Sequence, residues 1–542
     1  MTACAPPGRI DVVGGSNALL TALADPGFYP SRPPQVDVCE THISWVFLAG
    51  DRAYKLKKPL VLPFVDYGSP ERRREMCRAE VRLNRRLAPD VYLGVRGVAA
   101  TPVGFALAAE DDPRAVDYVV EMRRYDERMT LARRLDRGEL KAEQLRTVGR
   151  LLASFHADAP RLEPAGAPAL AVQRRLIDNV QELLELVEQR AELERVLALE
   201  RFIHAFVAAH ESMLDTRARR GLTREVHGDL RAEHVLLEDP PQIVDCVEFE
   251  PRLRRLDVAD DLAFLVMDLT AHGGERFARM LLDAYRGEGG DPGAGSLVAF
   301  YSVHRALVRA KVELLRASQA QGDSSARGRH GALARDLLAL AERFSWRARL
   351  PLVIVICGAP ASGKSELARG LAAISELTHL SSDLARKRLA GIKPSERGPA
   401  ALYGASWNAR TYAELGRRSA IEVSTRGGAL VDATFRHRVD RDAFAKGFAG
   451  SAPLLFVECW APFAVLAERA ARREGEVDRV SDATPAVVER ESASWEPLEE
   501  VPSEAHVTLR SDRPVEAMLA DLMALLDRRI ALGASVGAPA SR

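Results

Sequence analysis

Leu352 to Cys357, an unbroken apolar run, leads into Gly358-Ala359-Pro360-Ala361-Ser362-Gly363-Lys364-Ser365, which fits the phosphate-loop pattern G-x-x-x-x-G-K-[ST] without a mismatch. A helical pattern, Glu366-Leu367-Ala368-Arg369-Gly370-Leu371, follows. Strand, glycine-rich turn and helix N-terminus form the context that this motif requires. The glycines allow backbone N–H groups to crowd around phosphates, and the helix dipole adds partial positive charge there. Lys364 is placed to neutralise β- and γ-phosphates, and the Ser365 hydroxyl to ligate Mg²⁺. The stretch therefore predicts a nucleotide site and an α/β domain built around it.

Working outward, the pattern downstream of 350 alternates strand and helix. Apolar strands are expected at 352–357, 377–381, 428–432, 453–460 and 506–510, which gives a parallel α/β sheet. Upstream, residues 36–62 alternate like a hairpin around Ala49-Gly50-Asp51, and a helix carrying Glu80, Leu83 and Leu87 follows. Strand signals at 93–108 and 116–122 precede a mostly helical stretch to 220, which a strand–loop–strand segment at 225–250 interrupts. β-rich first and helical second implies two lobes of an α+β domain. The polar stretch Gln319 to Ser325 and one more helix, 331–344, place a boundary near 346. The expected domains are 1–345 and 346–532, with a flexible tail at 533–542.

Composition sets outer limits. A chain of 542 residues, 47% hydrophobic and 28% charged, reads as globular with several domains. Lys+Arg and Asp+Glu both number 76, so no global basic field favours nucleic acid. Six cysteines lack C-x-x-C spacing, which argues against zinc and against a disulfide framework. Cys246, Cys357 and Cys459 sit in apolar strand-like runs and read as packed thiols. No signal peptide and no run of 18 apolar residues is visible, so the expectation is a cytoplasmic protein without membrane contact.

Val226-His227-Gly228-Asp229-Leu230-Arg231 and Ile243-Val244-Asp245 set two acids at the ends of β-like segments, sixteen positions apart. Such a pair suits phosphoryl transfer, one carboxylate accepting the proton of an attacking hydroxyl and the other holding Mg²⁺ on phosphates. Tyr54-Lys55-Leu56-Lys57-Lys58 ends a strand, and Glu80 lies on the next helix. A Lys–Glu pair there would position the α- and β-phosphates. Lys55 and Lys57 face one side of the strand; Lys55 is the favoured partner.

With these segments, and with Glu40 to Trp45, Leu83 to Pro89 and Asp257 to Leu265, the first 320 or so residues resemble the aminoglycoside phosphotransferase branch of the protein-kinase-like fold. The whole chain resembles bacterial fusions of that domain to a P-loop kinase domain. The resemblance implies Asp229 as catalytic base and Asp245 as Mg²⁺ ligand. It also implies that one of Asp257, Asp260 and Asp261 braces the catalytic loop, alongside helix capping. Two departures stand out. The second metal position, Asn in the family, holds His234, and imidazole is a poor Mg²⁺ ligand. The hairpin that should cover the phosphates carries Thr41-His42-Ile43-Ser44 in place of a glycine-rich loop.

After the phosphate loop, Ser381-Ser382-Asp383 ends the second strand, where a carboxylate suits deprotonating an acceptor hydroxyl. Arg386 and Lys387 lie on the same helical side. Ala429-Leu430-Val431-Asp432 reads as a Walker B segment, with Asp432 on Mg²⁺ and Arg436 near substrate. Arg469 and Arg473 share a helical face that suits a lid over the phosphates. N-K-x-D is absent, which argues against a GTPase. Residues 350–530 resemble the group that includes gluconate kinases, chloramphenicol phosphotransferases and zeta-type toxins. The expected function is an ATP- and Mg²⁺-dependent kinase with two phosphoryl-transfer domains, acting on a small-molecule hydroxyl acceptor as a monomer or homodimer. The alternatives are a regulatory ATP-binding protein whose first half is a ligand-sensing pseudokinase, and a toxin-like kinase acting on nucleotide-sugars.

Overall fold

The computed structural model describes residues 17–62, 65–164, 166–320, 322–393, 396, 398–450, 452–473 and 485–531. The 533–542 tail, Cys4 and the side chain of Arg473 lie outside the described set. The chain divides into two compact units. One comprises Met1–Gly166 and Thr216–Ala294, and the other Ala167–Asp215 and Gly295–Arg542. This partition differs from a single cut near 346, because helices Pro168–Leu184, most of Arg190–Arg219 and Gly295–Gln319 fall with the parallel sheet.

The main sheet of the first unit has six antiparallel strands, β1 Val36–Glu40, β2 Ser44–Ala49, β3 Arg52–Lys57, β4 Tyr92–Thr101, β5 Gly104–Ala108 and β6 Ala115–Arg123, in the order β1-β2-β3-β6-β4-β5. Helix α1, Pro70–Asn84, starts at Ser69, whose Oγ accepts the Arg72 N–H, with Pro70 at the first helical position. Alternation along β3 separates two cores. Tyr54 and Leu56 pack with Leu20, Leu23 and Phe47. Ala53 packs with Cys77 and Val81 of α1, and Lys55 and Lys57 share that side by the two-residue repeat.

Helices α2 Ala142–Asp158, α3 Val258–Ala271 and α4 Glu275–Gly287 form the second part of this unit. A Cβ on Gly149 of α2 would come within 2.7 Å of the Leu281 carbonyl of α4, so glycine there permits the close crossing. Residues 223–257 form short strands, including the hairpin Val235–Leu236 with Gln242–Ile243, and irregular loops. Cys246, expected in a strand, lies in irregular chain just after that hairpin. Apolar burial does not distinguish a strand from a packed loop.

The second unit contains a five-stranded parallel sheet: β7 Leu352–Cys357, β8 Thr378–Ser381, β9 Gly428–Asp432, β10 Leu454–Trp460 and β11 His506–Arg510, in the order β8-β9-β7-β10-β11. All six residues of β7 are buried, as a central strand covered on both faces requires. Ile354 and Ile356 pack with Trp346, Leu367, Leu371 and Leu522 on one face. Val353 and Val355 pack with Tyr412, Leu415, Phe435 and Phe444 on the other. Helix α5, Gly295–Gln319, is followed by helix α6, Ser324–Ala348, which exceeds the expected 331–344 at both ends, with Asp323 accepting the Ala326 N–H as its cap.

Candidate active sites

In the sheet order β8-β9-β7-β10-β11 the chain reverses direction of winding at β7, and ligands of such sheets bind outside the strand C-termini at that reversal. The phosphate loop leaves β7 there. Gly358 has φ +136, and a Cβ on it would sit 2.4 Å from the Cys459 carbonyl. Ala361 (φ +63) and Gly363 (φ +84) complete the turn into α7, Lys364–Ser375. Lys364 Nζ donates to the Ala359 carbonyl at 2.7 Å, folding back over the loop.

Two carboxylates face this loop, one at the end of β9 and one in the helix that follows β8. Asp432 ends β9, opposite Ile356 of β7 and Ser381 of β8, and its side chain is 6% exposed. Burial alone would raise its pKa. The neighbouring His379 and Ser365 side chains and the Lys364 charge reverse that and hold it below its ordinary value. His379 Nε2 lies 3.4 Å from Asp432 Oδ2. Asp383 stands in the first turn of α8, Ser382–Leu389. Burial pushes its carboxyl up, with Asp432 adding to the rise against Arg386, Lys364 and Lys387. Arg386 Nη1 is 3.3 Å from Asp383 Oδ1, and its Nη2 donates to Asn408 at 3.0 Å.

The segment after Asp432 is held tightly. Phe435 has φ +52, its N–H donates to the Tyr412 hydroxyl, and Arg441 Nη1 donates to its carbonyl at 2.8 Å. Arg436 packs within this loop, its Nε 3.0 Å from His437 Nε2. Arg469, in helix Phe463–Arg473, donates to the Ser511 carbonyl at 2.7 Å, and its Nη1 lies 3.7 Å from where a Gly363 Cβ would be.

In the first unit, Lys55 Nζ lies 2.8 Å from Glu80 Oε1 and 3.2 Å from Asp245 Oδ1. Lys57 Nζ takes the other oxygen of Glu80, at 2.7 Å, and Glu248 Oε1 at 2.5 Å. Burial alone would lower both lysines. Asp245, Glu80 and Glu248 around Lys55, and Glu248 and Glu80 around Lys57, hold both ammonium groups well above their ordinary value. Asp245 is the converse, held well below its ordinary value despite burial, chiefly by Lys55. Its backbone is left-handed, φ +62, and its N–H donates to the Tyr92 hydroxyl. The Cys246 N–H donates to Asn84 Oδ1 at 2.8 Å, so β4 and α1 both fix this strained turn.

Asp229 follows Gly228, whose φ is +86 and whose missing Cβ would meet the Leu253 carbonyl at 2.5 Å. Asp261 of α3 accepts the backbone N–H groups of His227 and Gly228, at 3.2 and 2.7 Å, and is held in turn by His156 Nε2 at 3.1 Å. Asp257 caps α3 through the Ala259 N–H and pairs with Arg217 through two hydrogen bonds. Bracing and capping thus fall to two different aspartates. Arg231 grips both carboxylate oxygens of Asp229, each at 3.0 Å. His234 Nδ1 sits 2.8 Å from the Asp229 carbonyl, and burial pushes its imidazole pKa down to about 3. The turn at 41–43 closes through Thr41 Oγ1 and the Thr41 and Ser44 backbones, and the Ile43 carbonyl accepts the Lys58 N–H at 2.8 Å.

Sequence reasoning missed Glu248, Arg231 and His379. Glu248, three residues after Asp245, and His379, on the strand beside Asp432, carry signals only once pairing is known. Arg231 stood inside the quoted motif without a role.

Residues 48–297 match the family model for the phosphotransferase enzyme family (APH), and residues 353–498 that for an AAA domain (AAA_33). Uncharacterized protein Rv2004c of Mycobacterium tuberculosis (strain ATCC 25618 / H37Rv) is 34% identical over 475 residues, covering 85% of this chain and 91% of that protein. Uncharacterized protein Mb2027c of Mycobacterium bovis (strain ATCC BAA-935 / AF2122/97) matches over the same shares. This chain belongs to their family. It joins an APH phosphotransferase domain of kinase-like fold to a P-loop kinase-like domain with a parallel sheet. Among solved structures, a gluconokinase from Sinorhizobium meliloti 1021 is similar over 33% of this chain and 94% of that one, at 22% identity and TM-score 0.26. A choline/ethanolamine kinase family protein from Mesorhizobium loti covers 60% of this chain and 99% of that one, at 15% identity and TM-score 0.35. Both domains are of phosphotransferase or kinase-like type. Among the described residues, no helix is long and apolar enough to cross a membrane.

Proposed function

We propose that this protein is an ATP-dependent kinase that transfers the γ-phosphoryl group to a hydroxyl of a small molecule at the P-loop domain. The observation that carries this reading is the meeting of Ser365, Lys364 and a low-pKa Asp432 with a raised-pKa Asp383 at one edge of the parallel sheet. The oxygens of Ser365 and Asp432 fit Mg²⁺, which takes hard oxygen ligands and keeps several waters. Bound with ATP, Mg²⁺ neutralises charge on the β- and γ-phosphates. The loop N–H groups and Lys364 cradle those phosphates. Asp383, made more basic by burial, takes the proton of the acceptor hydroxyl. Arg386 orients Asp383, and Arg469 neutralises charge over the loop. Arg473, on the same helix, is proposed for the lid with it.

The APH domain is the second phosphoryl-transfer site of this proposal. Lys55, oriented by Glu80, takes the α- and β-phosphates, Asp245 the metal, and Asp229 the hydroxyl proton. A second reading, a ligand-sensing pseudokinase, is favoured by one observation. Arg231 engages both oxygens of Asp229 and competes for the lone pair that a base needs. The acceptor is a small hydroxylated molecule; nucleic acid and membrane are not proposed partners, and the assembly is a monomer or homodimer in the cytoplasm. The domain boundary near 346 stands as the functional division between the two chemistries.

The test is ATP turnover by the full chain against a panel of hydroxylated metabolites, with Lys364→Ala, Asp383→Asn and Asp229→Asn variants. Turnover lost with Asp383→Asn supports the kinase reading of the P-loop domain; ATP affinity unchanged by Lys364→Ala overturns it. Turnover unaffected by Asp229→Asn makes the APH domain a binding module.

A further inference from the structure

The residue at the expected second-metal position does not fit a metal. His234 Nδ1 lies 2.8 Å from the Asp229 carbonyl oxygen. A carbonyl oxygen only accepts, so Nδ1 carries the imidazole proton. The lone pair is then on Nε2, and Arg231 Nη2 donates to it at 3.0 Å. The same guanidinium holds Asp229 through Nε–Oδ1 and Nη2–Oδ2 at 3.0 Å each, and reaches Glu233 through Nη1. An ion at His234 would have to expel a cation that is hydrogen-bonded to three side chains. Mg²⁺ also prefers oxygen ligands in octahedral geometry. Among the described residues, no group of three or more His, Cys, Asp and Glu side chains is arranged to hold a metal on its own.

Asp245 differs from His234. Its carboxylate oxygens face Lys55 at 3.2 Å and His234 at 3.9 Å, and a hard oxygen donor fits a nucleotide-bound Mg²⁺ or Mn²⁺. We propose that the Arg231 guanidinium stands in for a second divalent ion, so that the APH site takes its nucleotide with one divalent cation, on Asp245. The proposal rests on reading this domain as nucleotide-binding. An arginine is always charged and cannot dissociate, so the positive charge beside Asp229 is permanent and independent of the metal concentration.

The experiment uses the full chain with Lys364→Ala and Asp432→Asn, which silence the P-loop site. It is titrated with Mn²⁺ in the presence of a non-hydrolysable ATP analogue, and bound Mn²⁺ is counted by electron paramagnetic resonance. One nucleotide-dependent ion per chain is expected. Two ions overturn the inference and leave the nucleotide-binding reading standing. No binding of the analogue overturns that reading, and the inference with it. Adding Arg231→Met and His234→Asn together, with circular dichroism to check folding, is expected to raise the count to two; a count still at one overturns the role given to Arg231. His234→Asn alone keeps the guanidinium in place and is expected to stay at one, and a second ion there also overturns the proposal.

Discussion

Lys57 Nζ lies 2.7 Å from Glu80 Oε2, with the two side chains only 0% and 1% exposed. Lys55 holds the other oxygen of the same carboxylate. Two adjacent same-face lysines therefore divide the work. Lys57 is sealed between Glu80 and Glu248, and Lys55 alone reaches Asp245. Replacing Lys57 by Met leaves two buried carboxylates short of a cation, and breaking a buried pair costs about 3–5 kcal/mol. Urea unfolding followed by the fluorescence of Trp45, on β2, is expected to show that loss for Lys57→Met. Lys55→Met, at a site 16% exposed, is expected to cost less stability and instead to weaken nucleotide binding to this domain.

Asp383 and Asp432 sit near one loop, yet their pKa values are pushed in opposite directions. Burial dominates for Asp383, while His379, Ser365 and the Lys364 charge overcome burial for Asp432. A proton acceptor works only when unprotonated. Activity at the P-loop site is therefore expected to fall as pH drops through the Asp383 pKa, which burial raises above its ordinary value. The acid limb of the kcat/KM profile measures it. Asp383→Asn is expected to lower kcat by about 10²–10⁴-fold and to leave ATP affinity within a few-fold of the parent. A comparable loss of ATP affinity would assign Asp383 to binding instead.

Two glycines are held by contact as well as by backbone angle. At Gly358 a Cβ would meet the Cys459 carbonyl at 2.4 Å, and at Gly228 the Leu253 carbonyl at 2.5 Å, both at positive φ. Backbone cannot yield as a flexible side chain can. Gly358→Ala is expected to abolish ATP binding at the P-loop, and Gly228→Ala to unseat Asp229 from its brace on Asp261. Isothermal titration with ATP in a Lys55→Met background isolates the first. Hydrogen exchange of the His227 and Gly228 amides, both bonded to Asp261, reads the second.

The centre of the parallel sheet was legible because β7 and β9 are continuous buried runs, one followed by glycine and the other ended by an acid; these two, and β11 with its alternating burial, begin and end where the pattern places them. Leu87 was expected on the face of the Glu80 helix, yet α1 stops at Asn84; an apolar residue just past a helix end packs as well as one inside it. Asp229 and Asp245 were visible as motif acids. The family resemblance placed a brace among Asp257, Asp260 and Asp261, but the Arg231 grip on Asp229 and the Glu248 pairing with Lys57 were hidden, because such pairings are not encoded in periodicity. The membership of helices in a compact unit was also hidden, since an amphipathic face does not name the surface that covers it.

Trp346, fully buried, packs in the same cluster as Ile354, Leu371 and Leu522 of the parallel-sheet unit. Arg349 pairs with Asp527 and stacks on Trp346, and Arg343 and Arg347 both reach Glu376. A fragment that starts at Leu350 retains the phosphate loop but removes the tryptophan, the arginine and their helix. Losing a buried aromatic side chain alone costs about 3–5 kcal/mol. Residues 350–542 are therefore expected to melt well below 295–542 in a thermal scan, and to bind ATP more weakly at 37 °C. Equal melting temperatures for the two fragments would mean that α6 only covers the sheet without supporting it. In that case, growth arrest or its absence on expressing 350–542 would report the kinase chemistry itself and not an unfolded fragment.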